Sequence, residues 1–346
     1  MKYNQLGRSG LFVSEICFGT MTFSGEGWLG GVIGNQGQKE ATTLIEKCLA
    51  AGVNFIDTAD VYSVGQSEVM TGQAFRDIGI ARSDVVLATK VFGRMGNGLN
   101  DAGASRGHIM DGVAKSLERL KTDHIDLYQI HGTDPVTPVE ETMGALNDLV
   151  RQGMVRYVGV SNWTAWRIAK ANGIADKRGW SRIESLQAYY SVAGRDLERE
   201  LVPLMKEERI GCMVWSPLAG GYLSGKYSPD SSKAGGEGEA EGRRKSFDFP
   251  PLDKTKADTL VAAMRPIAKA HGTSVARVAL AYVMAKPWVS SVIIGARTEA
   301  QLNDNLEAGQ LKLEASQIKQ LDELSALSPE YPGWMLERQA DQRRTP

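Results

Sequence analysis

"HIDLYQIHGTDPVTPVEETMGALNDLV", His124 to Val150, is the stretch on which the fold turns. Its first half is an apolar, β-rich run that ends on a histidine, His131. A polar turn follows. Then Thr137 reads as an N-cap, Pro138 as the first helical position and Glu140 as the partner closing a capping box. Directly after the helix comes "MVRYVGVS", Met154 to Ser161, a second β-rich run. Strand, turn, helix and strand make one β–α–β unit. The two runs are continuously apolar rather than alternating, which suits parallel strands covered by helices.

The same unit recurs on either side. "EICFGT", "NFIDTA", "DVVLATK", "HIDLYQIH", "MVRYVGVS", "RIESLQA", "IGCMVWSP" and "WVSSVIIG" are eight candidate strands, most of them followed by a helical pattern. In "KEATTLIEKCLAAG", Ala41, Leu44, Ile45, Cys48 and Leu49 share one helical face and Gly52 supplies the stop. Ser105 and Thr164 read as further N-caps. Eight such units predict an α/β fold, a (β/α)8 TIM barrel forming a single domain over residues 1–346. Residues 1–14 fit an N-terminal hairpin turning at Gly7 to Gly10. Residues 228–251, "SPDSSKAGGEGEAEGRRKSFDFPP", are rich in Gly, Glu and Ser and read as a mobile loop after strand seven. A tail over 328–346 carries Tyr331, Trp334 and Met335 before turning polar.

Composition narrows the function. The 346 residues are 42% hydrophobic and 23% charged, with 40 Lys plus Arg against 41 Asp plus Glu. A formal net charge of −1 argues against a nucleic-acid or membrane-surface role resting on bulk charge. Cys17, Cys48 and Cys212 lie far apart without metal-type spacing and read as buried thiols of a reducing compartment. The first residues lack an apolar signal segment, and no apolar run is long enough to span a bilayer, so a cytoplasmic location is expected.

In an α/β barrel the chemistry sits at the C-terminal ends of the strands. In order these ends hold Thr20 and Met21, Asp57, Lys90, His131, Ser161 and Asn162, Gln187, Trp215 and Ser216, and Gly295, with Tyr62 in the loop after strand two. Each alone has a plain structural reading: a strand stopping at a turn, a surface ion pair, a turn histidine. Asp57, Lys90 and His131 all ending apolar runs is better explained by one shared site. Converging with Tyr62, they make chemical sense. A free phenol has a pKa of about 10, and a neighbouring ammonium is expected to lower it. A carboxylate would hold that ammonium, and an imidazole would bond a substrate oxygen. Such a group protonates a developing alkoxide. The other histidines, His108, His124 and His271, fall in or beside helices and read as surface residues. "GEGWLG", Gly25 to Gly30, matches a dinucleotide fingerprint, but Gly31, Gly34 and Gly37 follow where its helix should begin, so it reads as a flexible loop.

These motifs, taken in order, resemble the aldo-keto reductases over nearly the whole chain. "FGTMTF", "GVNFIDTADVYSVGQSE", "LATK", "IDLYQIHGTD", "VGVSNW", "LQAYYS", "WSPLAGGYLSGKY" and "IIGARTEAQLNDNL" carry the likeness, which is nearer to potassium-channel β-subunits and bacterial oxidoreductases than to mammalian aldose reductases. The resemblance implies carbonyl reduction with NADPH, oxidised to NADP+. Tyr62 would be the general acid, tuned by Lys90 and Asp57, with His131 orienting the carbonyl. Thr20, Met21 and Asp57 would border the cofactor, and Ser161, Asn162 and Gln187 would hold the nicotinamide with Trp215 stacked on it. Ser216, Pro217, Leu218, Gly220 and Lys226 would line the pyrophosphate. Gly295, Arg297, Gln301 and Asn305 would receive the adenosine 2′-phosphate and adenine.

Thr298 to Gln301 is also a capping box, and a helix start beside Arg297 suits an anion. The loop "SGEGWLGGVIGNQG" is longer than forms common in the family. Trp28, Met21, Tyr189 and Trp334 are candidates for an apolar substrate pocket, favouring aromatic aldehydes or bulky ketones. The expected partner is a small aldehyde or ketone, not nucleic acid or membrane; a homo-oligomer is compatible with all of this. Two other functions stay open: an NADPH-binding regulatory subunit of a protein partner, and a barrel lyase using Lys90 as a Schiff-base amine.

Overall fold

Buried on both faces, a parallel strand can satisfy its backbone only through its neighbours, and closure into a barrel removes every edge. The computed structural model describes residues 1–23, 34, 36–227, 244, 247–340 and 342. An antiparallel hairpin of β1 (Tyr3–Gln5) and β2 (Phe12–Ser14) leads into the barrel. Its strands are β3 (Ile16–Gly19), β4 (Phe55–Asp57), β5 (Val86–Val91), β6 (Ile125–Ile130), β7 (Val155–Ser161), β8 (Ile183–Tyr189), β9 (Gly211–Trp215) and β10 (Val289–Ile294). Every neighbouring pair is parallel, and β10 closes the ring on β3 with Val292 opposite Ile16. The sequence expectation of a (β/α)8 barrel with an N-terminal hairpin describes this architecture.

Helices cover the outside: α1 (Gln38–Ala50), α2 (Gln66–Ile78), α3 (Arg106–Leu120), α4 (Val139–Arg151), α5 (Ala165–Arg178) and α6 (Leu201–Glu208) follow β3 to β8 in turn. α7 (Lys254–Ala270) and α8 (Val275–Met284) follow β9, and α9 (Glu299–Leu306), α10 (Ala315–Leu324) and α11 (Gly333–Ala340) follow β10. Among the described residues no helix is long and apolar enough to cross a membrane. Trp28 and most of the 228–251 loop lie outside the described residues.

Strand alternation divides the core into two layers. Phe55, Val86, Ala88, Leu127 and Met213 pack together inside the ring, with Leu6 and Val13 of the hairpin filling its lower end. Ile56, Leu87, Val91 and Ile130 belong to the larger cluster that the helices cover. Two residues beyond Phe55 and Ala88, the same inward-facing rows reach Asp57 and Lys90 at the opposite, upper end. The fold therefore delivers charged groups to an apolar interior by simple alternation.

Three local expectations are corrected. Thr137 does not cap α4: Pro138 takes the N-cap position with no side-chain bond, and the Thr137 hydroxyl donates to Asp134 at 2.7 Å instead. Asp134 also accepts from the Ala104, Val136 and Thr137 amides. Burial opposes its ionisation, but these bonds hold its carboxyl down at about 2, and the ionised oxygen accepts the Thr137 proton. Glu140, freed from the capping box, pairs with Arg178. Second, Thr164 occupies its N-cap position without a side-chain bond, whereas Ser105 caps α3 as expected. Third, His108 is not a surface residue; it is 7% exposed on the inner side of α3.

α2 and α3 meet closely at Gly72, where an added Cβ would stand 2.4 Å from the Leu120 carbonyl oxygen and 2.6 Å from its carbon. Both are backbone atoms, so the helices must separate to admit a methyl group. Gly72→Ala is expected to destabilise the fold by about 1–3 kcal/mol despite its better helix propensity. Urea unfolding of the two proteins measures this, and an unchanged or raised midpoint would refute the close approach.

Candidate active site

β4 ends at Asp57 and β5 carries Lys90 next to last, both pointing inward, and the two side chains meet at 2.6 Å with essentially no solvent contact. An ammonium has three protons to donate. Lys90 gives them to Asp57 Oδ2, to the Thr58 carbonyl at 2.7 Å and to the Tyr62 hydroxyl at 3.2 Å. The other carboxylate oxygen of Asp57 accepts from Gln129 Nε2 at 3.1 Å and Gln187 Nε2 at 3.0 Å. Every polar atom of the ion pair is thereby bonded, the condition under which a buried pair is tolerated.

Tyr62 reaches this pair because the chain after β4 turns sharply. Ser63 (φ 48°), Val64 (φ 54°) and Gly65 (φ 91°) all take left-handed backbone angles before α2 begins. For a β-branched valine this is costly, and such strain persists only where the surroundings enforce it. The Ser63 hydroxyl is tied to the Phe23 carbonyl at 3.0 Å, and the Gly65 Cα is so close to Arg119 that a Cβ would lie 2.8 Å from its Cδ. His131 follows β6, held through its amide by the Val91 carbonyl at 2.9 Å. Its ring meets that of Tyr62 edge-on at 5.7 Å between centroids. Asp57, Tyr62, Lys90 and His131 therefore converge.

The electrostatics differ in one respect from the expectation. Burial pushes the Tyr62 phenol above its ordinary value by more than Lys90 pulls it down. Burial alone would lower Lys90, yet attraction to Asp57 and then Tyr62 leaves its ammonium above the usual lysine value. Burial, reinforced by Lys90, lowers His131 to about 3. At neutral pH the cluster thus holds a charged Lys90, a neutral imidazole and a phenol that keeps its proton.

The residues nominated for a cofactor form a band across the barrel mouth. Asn162 (φ 59°) donates to Ser161 Oγ at 3.0 Å and accepts from the Trp215 indole at 3.0 Å. Trp215 is flanked by Tyr189 (5.2 Å, tilted) and Phe249 (5.8 Å, near-parallel). After β9, Ser216, Ala219 and Gly220 turn through positive φ, and Ser216 Oγ receives the Gly220 amide at 3.0 Å. Pro217 and Leu218 lie within this turn. At the end of β10, Asn305 donates to the Gly295 carbonyl at 3.2 Å and Gln301 accepts from the Arg297 amide at 2.9 Å. The capping box at Thr298 is accordingly half formed: Thr298 accepts from the Gln301 amide, but the Gln301 side chain bonds one residue earlier. Burial lowers Lys226, and the Arg297 charge lowers it further, so two cations share this end of the band.

Other nominations sit less directly. Thr20 is fully buried and bonded to Ser67 at 2.8 Å, Met21 is half-buried, and the Gln187 amide nitrogen is committed to Asp57 and to Gln129 Oε1. Trp334 is 45% exposed on α11 against Tyr331, and no contact among the described residues joins it to the Tyr62 cluster. Three participants went unread in the sequence. Gln129, two residues before His131, was signalled by a polar side chain on an inward row of β6. Arg244 is 7% exposed and binds the Ala219 and Pro250 carbonyls, and Phe249 stacks on Trp215; both stand in a segment whose composition reads as loop.

Comparison with known proteins fits this geometry. Residues 15–326 match the model of the Aldo/keto reductase family. A probable voltage-gated potassium channel subunit beta from Oryza sativa subsp. japonica is 40% identical over 310 residues, covering 89% of this chain and 91% of that protein. A versiconal hemiacetal acetate reductase from Aspergillus parasiticus is 33% identical, covering 96% and 99%. An uncharacterized oxidoreductase, YrpG, from Bacillus subtilis (strain 168) is 35% identical, covering 96% and 100%.

The depressed His131 value has a measurable consequence. With the folded pKa lowered below the unfolded one, the unfolded chain binds the extra proton first, so this residue costs stability as pH falls from about 6.5 towards about 3. Nitrogen-detected NMR of the four histidines should find His131 neutral throughout pH 5–8. Titration near 6.5 would show that the ring is solvated.

Proposed function

The chain belongs to the aldo/keto reductase family of oxidoreductases, and from that premise we propose that it reduces aldehydes or ketones to alcohols with NADPH, Tyr62 serving as general acid. The observation that carries this reading is the single ammonium of Lys90 bridging Asp57 and the Tyr62 hydroxyl. A substrate carbonyl oxygen set between Tyr62 Oη and the His131 ring would meet two neutral donors. Tyr62 would pass its proton to that oxygen as negative charge develops there. The Lys90 N–H already directed at Tyr62 Oη would stabilise the phenolate left behind, and Asp57 keeps that ammonium in place. Because burial opposes the phenolate, the tyrosine gives up its proton only to an oxygen that is becoming strongly basic.

The residues present fit a nicotinamide dinucleotide phosphate. Lys226 and Arg297 are brought close enough to repel one another, an arrangement that an anion relieves, and α9 begins beside Arg297. Trp215, Ser161 and Asn162 would hold the nicotinamide, with only the oxygen of the Gln187 amide left for its carboxamide. When bound, the reduced nicotinamide supplies the hydride. Ser216, Pro217, Leu218 and Gly220 would follow the pyrophosphate, with Gly295, Gln301 and Asn305 around the adenosine. Tyr189, Trp215 and Phe249 offer an aromatic wall suited to aromatic aldehydes or bulky ketones.

A Schiff-base role for Lys90 is disfavoured, since its amine is held protonated by Asp57. A second reading, a cofactor-binding regulatory subunit of a protein partner, draws on the 40% identity to the rice protein named as a channel subunit. Measurable steady-state turnover separates the two.

Tyr62→Phe is expected to keep NADPH binding, read by cofactor fluorescence, and to lower kcat/KM by about 10² to 10⁴; wild-type turnover in this variant would remove Tyr62 from the role. Arg297→Ala tests the cofactor. A charge-assisted bond contributes about 1.5–3 kcal/mol, so NADPH affinity should fall roughly tenfold to 150-fold while NADH affinity hardly changes. Equal losses for both cofactors would show that Arg297 does not read the 2′-phosphate.

A further inference from the structure

The loop that delivers Tyr62 also carries Asp60, whose side chain takes no part in the chemistry above. Its amide is bonded to the Lys90 carbonyl at 3.1 Å, and its carboxylate lines a cavity of about 80 Å³ beside α3. His108 and Arg119 share the inner wall, while Asp111 and Lys115 stand exposed at its rim. Asp60 is 1% exposed, yet neither of its oxygens has a hydrogen-bond partner. The Val61 amide lies near enough to favour its charge without forming a bond of normal geometry. Nε2 of His108 and the hydroxyl of the fully buried Tyr128 are unpartnered as well. Tyr128 is not one of the lining residues, though its hydroxyl would stand 3.2 Å from a Cβ added at Gly112, which is.

These unpartnered atoms share a chemical character. The Gly93 backbone lies near enough to the His108 ring to favour its protonated form, and in the neutral imidazole the unpartnered Nε2 can present an acceptor lone pair. Asp60 is an acceptor when ionised, and the Tyr128 oxygen can accept. Of the lining cations, the less exposed, Arg119, is already neutralised by Glu68 at 2.6 Å, and Glu68 spends its other oxygen on Thr89. A buried carboxylate without a donor is costly, and an anion in the same space would make it worse. A structural metal ion asks for about four protein ligands. Among the described residues no three His, Cys, Asp or Glu side chains converge to hold one. What the unpartnered Asp60 and His108 atoms lack is a small positive group bringing N–H donors to them.

We propose that this cavity is a binding site for a small protonated amine, ammonium or a short primary alkylammonium, which donates to the Asp60 carboxylate and to His108 Nε2. Neither Tyr62 nor His131 is among the residues that line it. Without a ligand, burial, then the neighbouring Glu68, pushes the Asp60 carboxyl up to about 8, against the Val61 amide, Arg119 and Lys90. Binding near neutral pH therefore expels a proton from Asp60. His108, Asp101, Asp111 and Lys115 also face the cavity.

Thermal-shift and calorimetric titration of the full chain with methylammonium chloride provide the test, against sodium chloride and tetramethylammonium chloride at equal ionic strength. Methylammonium should raise the midpoint while sodium and tetramethylammonium, which bring no N–H donor, do not. Asp60→Asn keeps the shape and removes the charge, and should weaken methylammonium binding by about tenfold or more. Calorimetry of the unaltered protein in two buffers of different ionisation heat should report proton release at pH 7.5, which serves even if the variant folds poorly. Equal shifts with all three salts, an undiminished response in Asp60→Asn, or methylammonium binding without proton release would each overturn the proposal.

Discussion

A lysine and an aspartate taken wholly out of water at the mouth of the barrel set the terms for everything around them. Desolvating two charges costs several kcal/mol each, and their attraction offsets this only if the remaining polar atoms are bonded. That requirement reaches far. It fixes Gln129 and Gln187, whose amides serve Asp57 Oδ1, and it fixes the Thr58 carbonyl, which serves Lys90. The last ammonium proton falls to Tyr62, so the position of the phenol follows from satisfying the pair.

The barrel meets this demand cheaply. Parallel strands point alternate residues inward, so a row that is apolar at Phe55, Val86 and Ala88 can end in charge without any change of backbone. The hairpin residues Leu6 and Val13 fill the lower end, which leaves the upper end for the polar group. The strain this creates is concentrated where the chain must turn back, at Ser63 and Val64. Low solvent access then sets the titration of the cluster: burial outweighs Lys90 at Tyr62 and keeps His131 neutral.

Around this centre two further regions are organised by different forces. Arg244, a buried guanidinium, draws the segment at Phe249 and Pro250 onto the turn after β9 and lays Phe249 against Trp215. Lys226, over the Tyr227 ring at 5.2 Å, lies at the far end of the band, where the Arg297 charge acts on it. Asp60 belongs to neither. It is a buried carboxyl left unbonded on the same loop, whose backbone amide is tied to the Lys90 carbonyl.

Much of this was legible in the sequence. Continuous apolar runs and helical periodicity depend on neighbours a few residues away, so eight strands, the hairpin and the strand-end positions of Asp57, Lys90 and His131 could be read directly. Which atoms meet across the barrel could not. Asp57 is bonded to residues 33, 72 and 130 positions distant, and nothing local records those distances. For the same reason the turn at Thr137, the burial of His108 and the net rise at Tyr62 were decided only in three dimensions: the Thr137 hydroxyl donates to Asp134, α3 turns one face inward, and desolvation outweighs an adjacent charge. The sequence determined which side chains the fold would bring to the mouth of the barrel; the tertiary structure decided how much water they keep, and with it their charge.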